Sequence, residues 1–205
     1  MGQNSSWSWL QLHRWNPSPH DWPILVSITA WCLLSLYWDA AAKNAAPEAE
    51  SESSGSRRVH LLLVTAAQIL LFVPIPGLRH RLLPESILFT AGGLALQAMG
   101  ILFAVWARRC LGRNWSGRIS IKVEHQLVRT GPYRVLRHPI YTGFLGLYAG
   151  VALVSGEVHA LMGLALALAA YLRKVRLEEA NLMRAFGDAY RAYRKATWAL
   201  LPWVF

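Results

Sequence analysis

Residues 161–187 read LMGLALALAAYLRKVRLEEANLMRAFG. An uncharged Leu- and Ala-rich half passes into a charged half, and no helix breaker stands between Gly163 and Gly187. The stretch therefore predicts one long helix that begins in an apolar medium, continues into water and stops near Gly187. A membrane-spanning helix needs about 20 mostly apolar residues, with about 17 tolerated. Working outward, the same signal recurs over residues 23–38, 59–75, 87–106 and 140–154, and the span of the quoted helix covers 158–172. Spans shorter than the bilayer core are completed by amphipathic ends, tilt or local thinning. The chain is thus expected to be all-α, an integral membrane bundle of about five transmembrane helices.

Composition supports this class. Of 205 residues, 54% are hydrophobic, 16% are charged and ten are Trp, more apolar than an ordinary soluble domain. Trp22, Trp31, Trp38 and Trp106 fall mostly near span ends, where interfacial belts form. With five spans and the N-terminus outside, all of the 21 Lys and Arg except Arg14, Arg79 and Arg81 fall on the inner side. By the positive-inside rule the C-terminus is cytoplasmic. The membrane would be the inner membrane of a bacterium or the endoplasmic reticulum of a eukaryote. The net charge of +10 is accounted for by anionic head groups beside the spans, which excludes nucleic acid as the partner.

Cys32 and Cys110 have no metal-ligand spacing and form no extracellular framework, so no metal is expected. The first twenty residues lack a signal peptide's apolar core and cleavage site and are expected to be retained. Residues 39–58, DAAAKNAAPEAESESSGSRR, offer nothing apolar to bury and are expected to be a mobile loop. Two regions result: 1–75, two helices and this connector, and 76–205, a core carrying the remaining spans, a cytoplasmic helix and a tail.

Between the third and fourth spans lies RTGPYRVLRHPIYTG, residues 129–143. Pro132 and Pro139 hold Gly131 and His138 extended, so the segment predicts an ordered loop that opens the fourth helix at Pro139. His138 stands at that helix's N-terminal boundary, where free amides and the positive dipole end favour an anion. About one to two turns beyond the fifth span stands the pair Glu178-Glu179, with Lys174 four residues before Glu178 and Arg176 three before Glu179. An ordinary solvated salt-bridge face is the plain alternative. Position favours function, because loop and acids are expected at one level of the membrane interface. Gly143, Gly146 and Gly150 give the fourth helix small surfaces for helix packing or ligand approach. Ser155-Gly156-Glu157 allows only a tight hairpin into the fifth.

His125-Gln126-Leu127-Val128, then Gly131-Pro132-Tyr133-Arg134, Arg137 through Gly143, Glu178-Glu179, Phe186-Gly187-Asp188-Ala189-Tyr190-Arg191-Ala192-Tyr193 and Pro202 together resemble the isoprenylcysteine carboxyl methyltransferase family and its phospholipid methyltransferase relatives. The resemblance covers roughly residues 108–202. It implies an integral membrane enzyme that uses S-adenosylmethionine from the cytoplasmic side to methylate a lipophilic acceptor drawn from the bilayer. Carried over residue by residue, the cofactor contacts are His125, Gln126, Leu127, Val128, Tyr133, Arg137, His138, Pro139, Ile140, Tyr141 and Glu178. Gln126 stands where members often have Thr. Lys174 stands where the carboxyl methyltransferases typically place an Arg against the acceptor carboxylate, with Arg173 a neighbouring substitute. Lys174, Glu178 and Glu179 are the catalytic candidates.

The chemistry fits those residue types. A methyl sulfonium asks for an acidic neighbour, which Glu178 and Glu179 supply. Its amino acid carboxylate asks for donors, for which Arg137, His138 and loop amides are candidates. Adenine asks for apolar and aromatic walls, which Leu127, Val128, Tyr133 and Tyr141 offer. A carboxylate acceptor is already a nucleophile, whereas an amine would need a glutamate as base. A sterol-type nicotinamide-dependent membrane reductase and a non-enzymatic lipid-binding scaffold are the competing classes. From Asp188 onward, Tyr190, Tyr193 and Trp198 alternate with Arg191, Arg194 and Lys195. This predicts either a segment lying on the membrane surface or a lid over the cofactor.

Overall fold

The computed structural model describes residues 22–122 and 127–203. Six α-helices are present among them: α1 (Trp22–Ala42), α2 (Ser54–Phe72), α3 (Ile87–Leu111), α4 (Pro139–Ser155), α5 (Val158–Phe186) and α6 (Asp188–Lys195). The first five fall near the positions of the five expected spans, although α2 is not apolar enough to count as a membrane span. Of these, α1, α3 and α5 are long and apolar enough to cross a membrane, and α4 is a shorter apolar helix. At 29 residues, α5 is about 43 Å long. Its apolar part ends near residue 172, and the charged remainder runs unbroken to Phe186, where Gly187 caps it at φ 51°.

Small residues set how the bundle closes. A Cβ on Gly93 would lie 2.7 Å from the Gly150 carbonyl oxygen, and one on Gly100 would lie 2.5 Å from that of Gly143, so α3 and α4 meet backbone to backbone. Gly163 of α5 approaches α2 in the same way, 2.8 Å from the Ala67 oxygen. Contacts this close require glycine on both sides of the α3–α4 seam. Leu147, Tyr148 and Val151 of α4 are fully buried against Ala67 and Leu71 of α2 and Ala160 and Ala167 of α5, forming the main core.

At one end of the bundle, Gly156 in the left-handed region (φ 65°) turns α4 into α5. Its carbonyl accepts from Leu82 N at 2.8 Å, and Val158 N donates to His80 O at 3.0 Å. The opposite end carries the segment between α3 and α4 together with α6.

At that opposite end the structure corrects the reading of residues 39–58. Instead of a mobile loop, α1 extends to Ala42, β1 (Glu48–Ser51) pairs antiparallel with β2 (Ser120–Lys122), and α2 already begins at Ser54. The cause is the partner strand: Glu52 N donates to Ile119 O at 2.8 Å, Ala46 N to Arg113 O at 2.9 Å, and Ile119 N to Glu52 Oε1 at 3.2 Å. A polar segment with nothing apolar to bury is ordered here by backbone pairing. Apart from this small strand pair and two isolated bridges, the regular structure of the described residues is helical.

Candidate active site

The loop before α4 begins with a 3₁₀ turn, Gly131–Arg134. Gly131 has φ 57°, and a Cβ there would lie 2.6 Å from Cys110 Sγ, so the turn requires glycine for both conformation and room. Pro139 then occupies the first turn of α4 with His138 as the N-cap. The amides of Arg137 and His138 do not wait for an anion: they donate to the carbonyls of Trp198 (2.8 Å) and Ala199 (3.0 Å). The chain beyond α6 has folded back along the loop, and Trp198 N in turn donates to Val135 O at 3.0 Å.

The same loop meets the acidic end of α5. Arg137 Nε donates to Glu179 Oε1 at 2.6 Å, and its Nη1 donates to the carbonyls of Arg194 and Thr197. Arg194 Nε lies 3.3 Å from Glu179 Oε2. His138 lies between the two acids, Nδ1 3.3 Å from Glu178 Oε2 and Nε2 3.5 Å from Glu179 Oε1. Its ring stacks parallel on Tyr141, 5.6 Å between centroids, and the Tyr141 hydroxyl donates to Glu178 Oε1 at 2.5 Å. Behind Glu178, Lys174 Nζ lies 4.0 Å from Oε1 and donates to Gly117 O at 3.1 Å. Lys174 and Glu179 are both buried.

These contacts set the charge states. Burial by itself lowers the His138 pKa, but hydrogen bonding to Glu178 and Glu179 and their charge outweigh it, and the net shift is upward. Burial pushes the Glu179 carboxyl up, and the bonds from His138 and Arg137 reverse this, holding it down at about 2. The cluster is a compensated set of ions whose members fix one another's geometry.

In front of it opens a cleft of about 130 Å³, continuous with solvent. Leu127, Val128 and Tyr133 from the loop and Arg137, His138, Ile140 and Tyr141 around the start of α4 line it, and Glu178 closes one wall. Eight of the sequence-predicted positions thus converge on one space. Pro139 is buried beneath it in the first turn of α4. Glu179 stands behind His138, paired to Arg137, and the partner anticipated for it at Arg176 is exposed instead. Arg173 does not approach: its Nη2 donates to Ser56 Oγ of α2 at 3.2 Å. His125 and Gln126 lie outside the described residues.

The cleft also has walls that sequence reasoning missed. Asn181 and Leu182, three and four residues beyond Glu178, line it, and helical spacing from Glu178 would have found them. Tyr190 and Tyr193 of α6 face inward, are buried and line the cleft. The Tyr193 hydroxyl donates to Tyr133 O at 2.7 Å, and Arg129 Nη2 to Ala189 O at 2.9 Å. Trp115, Arg118 and Ile119, from the segment between α3 and β2, form the remaining wall. Nothing periodic marks them in the sequence. Their placement comes from Arg108, buried at the end of α3, whose Nη1 donates to Gly112 O at 2.8 Å, whose Nη2 donates to Ala41 O at 2.6 Å, and whose guanidinium lies 4.4 Å from the Trp115 ring centroid.

The cleft fits S-adenosylmethionine in kind, with the half-buried Glu178 carboxylate on one wall and aromatic side chains on others. The phospholipid methyltransferase family profile matches residues 88–189. A protein-S-isoprenylcysteine O-methyltransferase of Schizosaccharomyces pombe is 33% identical over 96 residues, 45% of this chain and 41% of the yeast protein. A methanethiol S-methyltransferase of Mycobacterium tuberculosis is 37% identical over 102 residues, 49% of this chain and 40% of the other. The chain therefore spans about two fifths of the length of these relatives. Among solved structures, a eukaryotic intramembrane Ras methyltransferase, isoprenylcysteine carboxyl methyltransferase, shares the fold, with a TM-score of 0.50 at 20% identity over 75% of this chain and 54% of that one. The fold and the cleft define an integral membrane helical bundle with its site at one end. Over residues 88–189, about half of its length, this chain is similar to the phospholipid methyltransferases, and its curated relatives include isoprenylcysteine O-methyltransferases.

Proposed function

We propose that the protein is a membrane methyltransferase that takes S-adenosylmethionine from the cytoplasmic side and methylates the carboxylate of a lipophilic acceptor of the prenylcysteine type. The observation carrying this reading is the convergence of Tyr133, His138, Tyr141 and Glu178 on one cleft at the interfacial end of the bundle. When bound, S-adenosylmethionine supplies a methyl group on a cationic sulfur, open to in-line displacement by a nucleophile. Glu178 offers the negative charge such a centre needs, oriented by Tyr141 and His138. Leu127, Val128, Ile140 and Tyr133 supply an apolar and aromatic surface for the purine. His125 and Gln126 complete the cofactor set carried over from the family.

The acceptor carboxylate needs no base, only a cation to hold it. Lys174 has three N–H donors. Gly117 O takes one and Glu178 lies beside a second, which leaves a third for the acceptor. Alignment in a water-poor space is the protein's principal contribution to rate. The topology we propose has the N-terminus outside and the cleft and C-terminus cytoplasmic, as the Lys and Arg distribution requires.

Two measurements test this. Purified protein in detergent is expected to bind S-adenosylhomocysteine saturably. Membranes incubated with the methyl-labelled cofactor are expected to yield an extractable lipophilic product that releases its label as methanol in base, as an ester does. Base-stable label would place the methyl on nitrogen or sulfur and overturn the carboxylate assignment.

A further inference from the structure

The amino acid end of S-adenosylmethionine carries a carboxylate, and Arg137 and the amides of residues 137 and 138, anticipated among its donors, are already engaged. The Arg137 guanidinium is bonded to Glu179 and to the carbonyls of Arg194 and Thr197. His138 lies between two carboxylates, and the amides of residues 137 and 138 donate to Trp198 and Ala199. Among the described residues that line the cleft, one further cation stands on its wall: Arg118, which is exposed.

The segment bearing Arg118 is held from several directions. Arg108 donates to Gly112 O, Lys174 to Gly117 O, and Ile119 N to Glu52 Oε1, and Ser120 pairs with Ser51. Arg118 is therefore fixed at its backbone on both sides while its side chain stays at the solvent-facing edge of the cleft. A planar guanidinium with five donors matches a carboxylate through two parallel hydrogen bonds. The solvent side is where the polar end of a soluble cofactor emerges, while the acceptor comes from the bilayer.

We propose that Arg118 is the anchor for the cofactor's amino acid carboxylate. This rests on the methyltransferase reading above, and the test separates the two. Binding of S-adenosylhomocysteine and of 5′-methylthioadenosine is measured by calorimetry on the full chain in detergent. The two thioethers share the nucleoside, and only the first has the amino acid end. Arg118→Gln is expected to weaken S-adenosylhomocysteine about tenfold, the loss of one charged hydrogen bond, and to leave methylthioadenosine unchanged. Arg118→Lys is expected to fall between, retaining the charge and losing the fork. Unchanged S-adenosylhomocysteine affinity in Arg118→Gln would overturn the proposal. Equal weakening of both compounds would also overturn it, because the residue would then shape the wall and not recognise the carboxylate. Wild-type protein that binds neither compound would instead overturn the methyltransferase reading, and the anchor with it.

Discussion

His138 lies between Glu178 and Glu179 with its pKa raised, so its protonation state governs how the acidic pair is held. A group whose folded pKa is raised contributes stability that is complete below its ordinary value of 6.5 and is lost as pH rises through the folded value. The difference in Tm between wild type and His138→Gln is accordingly expected to be largest in mild acid and to vanish in alkali, as followed by thermal unfolding in detergent across pH. Glu179, held at about 2, contributes in the opposite direction, with stability present above the ordinary carboxylate range and lost only as pH falls toward 2. Glu178→Gln removes the charge that faces the cleft and is expected to weaken S-adenosylhomocysteine about tenfold in a binding titration. Arg137→Ala leaves Glu179 buried against His138 and Arg194 without its closest cation, and is expected to cost about 3 kcal/mol of unfolding free energy in denaturant titrations. Changing Arg137 and Glu179 together to apolar residues is expected to cost less than the sum of the single changes.

At the scale of helices and loops, close-packed seams contrast with the segment that flanks the cleft. A methyl group at Gly143 would lie 2.6 Å from the Gly100 oxygen and 2.8 Å from the Ala104 Cβ, whereas one at Gly146 would meet its nearest atom at 3.6 Å. Gly143→Ala is therefore expected to destabilise by about 2 kcal/mol, in the range for overpacked cores, while Gly146→Ala unfolds close to wild type. Tyr190 and Tyr193 of α6 line the cleft, and the chain beyond α6 pairs with the loop before α4. Truncation after Gly187 removes Tyr190, Tyr193 and the carbonyls that hold the Arg137 and His138 amides, and loss of cofactor binding is the expected result. The positions of α1, α3, α4 and α5 and the end of α5 at Gly187 were legible because hydropathy and an uninterrupted helical register are local signals. Residues 39–58 were not, since their order comes from pairing with a strand some seventy positions away. The same holds for Trp115 and Arg118, which are placed by Arg108 and Lys174 and not by any pattern of their own.

For the molecule as a whole, sidedness follows from which loops share an end. The turn at Gly156 and residues 78–82 lie at one end, joined through Leu82 N and Gly156 O, and the cleft lies at the other. In a background with Cys32 and Cys110 replaced, His80→Cys is expected to react with an impermeant maleimide from outside intact cells, and Arg184→Cys only after the membrane is opened. The convergence of residues 127–141 with Glu178 was legible from chain order and hydropathy together, because two polar segments flanking adjacent spans must emerge on one face. The role of Arg137 was not legible, since its choice of Glu179 over a ligand depends on side-chain reach that spacing does not encode.

The unbroken length of α5 has a mechanical consequence. A rod of about 43 Å set in a hydrocarbon layer of about 30 Å holds its far third at a fixed height above that layer. On the proposed reading, the acceptor's reactive group, by contrast, rides at a depth set by the lipids around it. The distance between the two is then a property of the host bilayer: reconstitution in lipids of graded acyl length is expected to give a turnover optimum at one thickness and to leave the affinity for the water-soluble ligand flat across the series.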